Sequence, residues 1–382
     1  MTTTNNNSTP QFLTKEYVEN ILKKYLKDTS LKVLNIEAGP ASAKGESYCS
    51  IMTRIKVNYK LEREKVVNEI NFIVKSTYED NPYLSGVLKQ YDVYNTEMQM
   101  YETILPQLEQ MLREIGDTDQ LCARTIHVDY ERDVIIFEDL TVHKFTMANR
   151  LEGMDEVHLK LCLNKLAKMH ATAAVLNERQ SGLLQKYSHG IYNRHVNIYG
   201  EFLENVMKAS AKFVESCPEL GIYYSKKLSQ LVPHAVEYAT RCYDPSPKHF
   251  LTLNHGDMWT NNVMVQYNDE KGKSNVNDIL LIDFQYCSWT SPAVDLHYFL
   301  NTENTWILSS GVITDFAVSC LLVNFPLLIN DKTEDADFET ILGSGEKAQR
   351  FDKVLYTNKR VQRIVKVMLP KFDQMGLLDV VK

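Results

Sequence analysis

A change of hydrophobic period divides this chain. From Leu31 to Lys75 the apolar residues alternate: "YCSIMTRIKVNY" puts Cys49, Ile51, Thr53, Ile55 and Val57 on one face, and "VVNEINFIVK" is a β-rich run ending on Lys75. Alternation with period two suits a sheet with one buried face, and a helix cannot satisfy it. Beyond Leu140 the repeat lengthens. Leu159, Leu163, Leu166, Met169, Ala173 and Leu176 share one helical face, and further helical stretches run from about Glu201 to Tyr238. The pattern predicts an α+β protein, a small antiparallel sheet followed by a mainly helical region. The boundary falls near residues 138 to 142, which divides the chain into a polar tail (1–10), a sheet-rich lobe (11–140) and a helical lobe (141–382).

Three further elements stand out. Tyr17, Val18, Ile21, Leu22, Tyr25 and Leu26 predict a helix over Lys15 to Leu26, and "LKQYDVYNTEMQMYETILPQL" carries Tyr94, Met98, Tyr101 and Leu105 on one helical stripe. "RDVIIFEDL" reads as a short buried strand. Within the helical half one strand pair, "NVMVQY" and "DILLIDF", is joined by the turn-rich "NDEKGKSNVN".

Composition excludes several classes. The 382 residues are 44% hydrophobic and 24% charged, enough for two or three domains' worth of core, and the formal charge of −7 leaves no basic footprint for nucleic acid or an anionic membrane. Any phosphate must be held locally. The seven cysteines are scattered and form no C-x-x-C, which argues against a disulfide framework or a zinc site and for a reducing, cytosolic setting. "MTTTNNNSTPQF" has neither the basic start nor the apolar stretch of a signal peptide, and no apolar run approaches the ~20 residues that cross a bilayer.

The chemistry concentrates in "LTLNHGDMWTNNVMVQY", where His255, Gly256 and Asp257 sit between apolar runs. Asn262 follows Asp257 by five residues, and Asp283 closes the next strand. A loop feeding a hairpin would gather all three side chains at one edge. Asp257 could then meet a substrate hydroxyl while Asn262 and Asp283 supply oxygens to Mg²⁺, a hard cation that takes few protein ligands beside phosphate. Such a set suits phosphoryl transfer, in which positioning and charge neutralisation do most of the catalysis. Ordinary turn and cap hydrogen bonds would use the same residue types, and D-x-x-x-x-N alone arises by chance.

"HGDMWTNNVM" followed by "ILLIDFQYCSWTSPAVDLHYFL" resembles the aminoglycoside-phosphotransferase and choline-kinase superfamily, and within it the insect ecdysteroid-kinase-like family, to which Trp259 and the IDFQ ending point. The likeness runs from "AGPASAKGESYCS" to "LPKFDQMGLLDVV" and implies a bilobal protein-kinase-like fold. It implies that Asp257 is the catalytic base or orients the acceptor hydroxyl, and that Asn262 and Asp283 bind metal. His255 then braces the loop or touches the reacting groups, and Trp259 packs beneath the loop or stacks on substrate.

For the small lobe the resemblance implies a nucleotide site. Lys75 ends a strand whose Phe72 and Val74 face the other way, and its expected partner is Glu97, a carboxylate among Tyr94, Met98 and Tyr101 that is costly unless paired. Kinase folds contain such a pair, with the lysine on the phosphates. "GPASAKGES" would cover the phosphates through amides near Gly45, although it lacks a full G-x-G-x-x-G and a plain hairpin connection would look similar. "FEDL", with Glu138 and Leu140, sits where kinases hold adenine through backbone groups; a strand-to-helix linker would read alike.

A protein kinase is disfavoured: the motifs are His-Gly-Asp and Asp-Phe-Gln, no A-P-E occurs, and only eleven residues separate Asp283 from Asp295. Ser291 and Pro292 read as a helix start that places Asp295 in the first turn, where the superfamily braces the catalytic loop and where helix-dipole complementation would also suffice. His170 reads as a satisfied structural histidine. The leading expectation is an ATP- and Mg²⁺-dependent kinase of a small alcohol, an ecdysteroid or another apolar hydroxylated metabolite. A choline- or ethanolamine-type kinase and a catalytically dead binding protein are the alternatives. The acceptor should lie among residues 185–250 and 300–370, where aromatic residues such as Trp306 are available. A monomer is expected, with a dimer as the alternative.

Overall fold

The computed structural model describes residues 10–41, 50–77, 82–195, 199–245, 249–268, 276–302, 326 and 345–380. The opening tail, Cys49, the segment around Gly45 and Trp306 lie outside them. Among the described residues no helix is long and apolar enough to cross a membrane.

Helix α1, Lys15–Tyr25, starts where the Thr14 side chain accepts the Tyr17 amide, and it buries Val18, Ile21 and Leu22. That face lies on a five-stranded antiparallel sheet of β1 (Lys32–Pro40), β2 (Ile51–Lys60), β3 (Asn68–Ser76), β4 (Thr125–Asp129) and β5 (Val134–Glu138), in the order β1-β2-β3-β5-β4. Alternation decides the facing. Ile55, Val57, Phe72, Val74, Val134 and Ile136 join α1 in one core, so Lys75, Ile135 and Phe137 point from the other face of the sheet.

The helical stripe after β3 is broken into pieces: α2 (Pro82–Gln90), α3 (Val93–Gln99), a π turn (Met100–Ile104) and α4 (Leu105–Glu114). Asp92, in the left-handed region at φ 53°, separates the first two. The π turn has a local cause. Pro106 has no N–H and its ring crowds the carbonyl four residues back, so the Leu105 amide bonds Met100 one residue further back than in an α-helix.

After β5 the chain makes a 3-10 turn (Leu140–His143) capped by Asp139, then β6 (Phe145–Met147) and α5 (Glu156–Arg179), which is capped by Asp155. Helices α6 (Tyr199–Ser216), α7 (Gly221–Leu231) and α8 (Ala235–Arg241) precede β7 (Thr252–Asn254), and the hairpin β8 (Val263–Tyr267) and β9 (Val276–Leu281) joins β6 in a small sheet. β10 (Ser288–Thr290) pairs with β7 and leads into α9 (Ala293–Thr302); α10 (Glu346–Leu355) and α11 (Lys359–Gln374) end the fold. One large apolar core runs from α2 to α4 through α5 to α11. The Leu281 amide donates to the Leu121 carbonyl, so the segment before β4 is stitched to the end of β9.

Candidate active site

The hairpin register fixes the centre of the site. Val263 pairs with Leu281, so the residues leaving β8 backward and β9 forward emerge together, and the Ile282 amide donates to the Asn262 carbonyl at 3.0 Å. Asn262 and Asp283 therefore flank one hairpin end. The Asn262 amide nitrogen reaches back to Asp257, donating to its carbonyl at 2.7 Å and its carboxylate at 3.0 Å. Asp257, Asn262 and Asp283 thus lie in one neighbourhood although 25 residues separate the first from the last.

The loop that carries Asp257 is braced from several sides. Asp295, on the first turn of α9, accepts the His255 and Gly256 amides, both at 2.8 Å, and His170 Nε2 from α5 bonds the same carboxylate at 2.8 Å. Burial alone would raise the Asp295 carboxyl, but the His170 contact, the nearby His255 and the Gly256 amide hold it below the ordinary range. His170 is therefore part of this brace. His255 is fully buried, which keeps it neutral; its Nε2 donates to the Ile282 carbonyl at 2.9 Å and its Nδ1 accepts the Asp257 amide at 3.3 Å. Both ring nitrogens are spent on backbone, so His255 shapes the loop. Gly256, at φ 83°, admits no side chain, because a Cβ there would lie 2.0 Å from the Tyr286 carbonyl oxygen.

The carboxylate of Asp257 has partners that the motif does not reveal. Trp259 and Tyr298 both hydrogen-bond it, as does Asn262, yet burial and the charge of Asp283 push it up to about 7. Trp259 packs under the loop, 6% exposed, with its indole N–H on the Asp257 carboxylate. Tyr298 was not among the sequence candidates. Its only signal was position, one helical turn after Asp295 in "AVDLHYFL".

From the sheet, Lys75 is buried with its ammonium between two carboxylates, 2.7 Å from Glu97 and in direct contact with Asp283. Burial would depress the lysine, but Asp283 and Glu97 outweigh it and raise it above its ordinary value. One ammonium cannot offset both partners. Burial and the Asp283 charge therefore raise the Glu97 carboxyl despite the lysine beside it. Glu97 and Asp283 share one ammonium, and the Asp283 charge also acts on Asp257, so carboxylates outnumber cations here and a divalent cation would offset them.

Among the described residues no three His, Cys, Asp or Glu side chains are placed to enclose a metal. The donor set nevertheless fits Mg²⁺. The Asn262 nitrogen is spent on Asp257, which leaves its carbonyl oxygen, and Asp283 adds a carboxylate oriented by the Gln285 amide at 3.3 Å. Two hard oxygen donors with room for phosphate and water are what this cation takes.

The linker is more occupied than its sequence suggested. The Glu138 amide donates to the Arg124 carbonyl, and its carboxylate accepts the Arg124 amide and the Gln120 side chain. The Leu140 carbonyl accepts Lys144. Leu140 opens the 3-10 turn, where backbone amides have no partner within the turn.

A sheet that presents a paired lysine over a helical region bearing Asp257 and the Asn262–Asp283 hairpin end is a kinase-like fold of α+β class. Residues 44–305 match the ecdysteroid kinase-like family, and the chain belongs to that family. No curated protein matches it. Among solved structures it is similar to the choline kinase LicA from Streptococcus pneumoniae, at 13% identity and a TM-score of 0.32, over 95% of this chain and all of that one.

Proposed function

We propose that the protein is an ATP-dependent kinase that transfers the γ-phosphoryl group to a hydroxyl of a small molecule, an ecdysteroid or a related apolar hydroxylated metabolite. The observation that carries this reading is the convergence of Asp257, Asn262, Asp283 and Lys75 on one hairpin end. In it, residues 11–140 form the nucleotide lobe and 141–382 the catalytic and acceptor lobe. The free buried thiols suit a reducing cytosol.

The acceptor oxygen forms a bond to the γ-phosphorus as the bond to the ADP oxygen breaks, and the hydroxyl proton passes to the Asp257 carboxylate. A carboxyl near 7 is well matched to that task at neutral pH. Trp259, Tyr298 and Asn262 hold the carboxylate in place, and His255 and Asp295 fix the loop beneath it. Lys75, positioned by Glu97, binds the phosphates, and the Leu140 amide and neighbouring backbone hold the base. Mg²⁺, bound through Asn262 and Asp283, supplies neutralisation of phosphate charge.

The test is transfer of label from [γ-³²P]ATP to a panel of ecdysteroids, choline, ethanolamine and other apolar alcohols. Labelling of ecdysteroids or apolar alcohols supports the reading. Strict choline or ethanolamine dependence would replace the acceptor class, and nucleotide binding without any turnover would make the protein a binding protein.

A further inference from the structure

The cleft face of the sheet carries a second cation that the function above leaves unused. Thr53, Ile55 and Val57 of β2 are buried toward α1, so Arg54 projects from the opposite face, the one that carries Lys75. In the register Arg54 lies opposite Ile73, one same-face step along β3 from Lys75. On its other side stands Gly39 of β1, which has no side chain and open space around it. No β1 side chain therefore stands directly opposite the arginine.

Arg54 crosses β3 to reach the turn after β5, where its Nε donates to Asp139 Oδ2 at 2.7 Å. Asp139 is held independently: it is 4% exposed, and its other oxygen accepts the Thr141 amide and hydroxyl at 3.1 and 2.7 Å. The Arg54 side chain remains 40% exposed, and its two Nη groups make no hydrogen bond among the described residues. Capping the turn requires only Asp139. The arginine is thus anchored by one edge, on the sheet face that carries Lys75 and beside the turn that Leu140 opens.

We propose that Arg54 is a nucleotide-contacting residue, whose guanidinium, positioned by Asp139, forms one wall of the purine nucleotide site by stacking on the base and donating to the sugar or phosphate oxygens. A planar, delocalised cation suits both tasks, and lysine, a point charge without a plane, suits only the second. Asp139 acts through Arg54 and is a positioning residue. The proposal rests on the ATP-dependent reading, but its deciding test is nucleotide binding, which needs no acceptor.

The experiment is calorimetric titration of the full-length protein with Mg-ATP, Mg-ADP and inorganic tripolyphosphate. Arg54→Met keeps the apolar stem and should weaken ATP and ADP about five- to thirtyfold while affecting tripolyphosphate less. Arg54→Lys should recover part of the loss, and Asp139→Asn should show a smaller loss of the same kind. Steady-state assays should place the effect in the KM for ATP, leaving the acceptor KM unchanged. Unfolding curves check that each variant is folded, and Arg54→Lys keeps the test open if Arg54→Met is not. Wild-type nucleotide affinity in a folded Arg54→Met or Arg54→Lys variant would reduce the pair to a structural clasp. A wild-type protein that binds no purine nucleotide would overturn this proposal and the ATP-dependent reading together, whereas unchanged variants of a nucleotide-binding wild type would overturn this one alone.

Discussion

Asp257→Asn keeps the shape of the loop and removes the proposed proton acceptor. It should lower kcat by about 10²–10⁴-fold with ATP affinity retained, measured by steady-state kinetics beside nucleotide titration; normal turnover would remove Asp257 from the chemistry. Asp283→Ala should abolish Mg²⁺-supported nucleotide binding, and Asn262→Ala should weaken it less, since an amide contributes no net charge. Unchanged Mg²⁺ dependence in both would place the metal elsewhere. These residues were legible because a short loop and one hairpin carry them, so spacing alone brings them together. Lys75 and Glu97 were legible for another reason: a carboxylate on an apolar stripe requires a partner, and the structure seats the two in contact. Tyr298 and Arg54 were not legible. A tyrosine in an apolar helix and an arginine on a strand are ordinary there, and only the third dimension shows what each one reaches.

At the scale of elements, α9 matters through its first turn. Asp295 is fully buried and joins α5, α9 and the loop that carries Asp257 through His170, His255 and Gly256. Because its folded pKa is depressed, its contribution to stability is present above the ordinary carboxylate range and is lost as pH falls through the lower folded value. Asp295→Asn should cost on the order of 3 kcal/mol at neutral pH, and the difference from wild type should shrink toward acid, as read by urea unfolding from pH 7 to pH 3. A difference independent of pH would mean that the charge is not what matters. The strands, α1 and the β8–β9 hairpin follow from periodicity, which survives at this scale. The breaks between α2 and α4 do not, because one inserted residue in a π turn leaves the apolar stripe nearly in place. Pro106 was the local signal of the irregularity.

For the whole molecule, the short path from Asp283 to Asp295 is filled by a 3-10 turn, β10, which pairs with β7, and the start of α9, which holds the Gly256 amide. The active arrangement should therefore need no prior phosphorylation, and phosphatase-treated recombinant protein should retain its full rate. Dependence on added phosphate groups would contradict that. An apolar acceptor held mostly by buried surface should show a KM that changes little from low to high salt, whereas a cationic one should weaken visibly.

The hydrogen bond from Leu281 to Leu121 bears on whether the chain can be taken apart. Severing at residue 140 would leave the segment before β4 without its strand partner and expose Met98, Tyr101, Leu108 and Phe137, which share one core with α5 and β9. The core between α1 and the sheet lies wholly within 1–140, but the opposite sheet face and α2 to α4 would lose the partners they pack against. A separately produced 1–140 piece should aggregate, and co-expression with 141–382 should return soluble, nucleotide-binding material, as purification of the two pieces together would show. The two lobes would then be divisions of labour within one folding unit, each supplying the surface on which the other is finished.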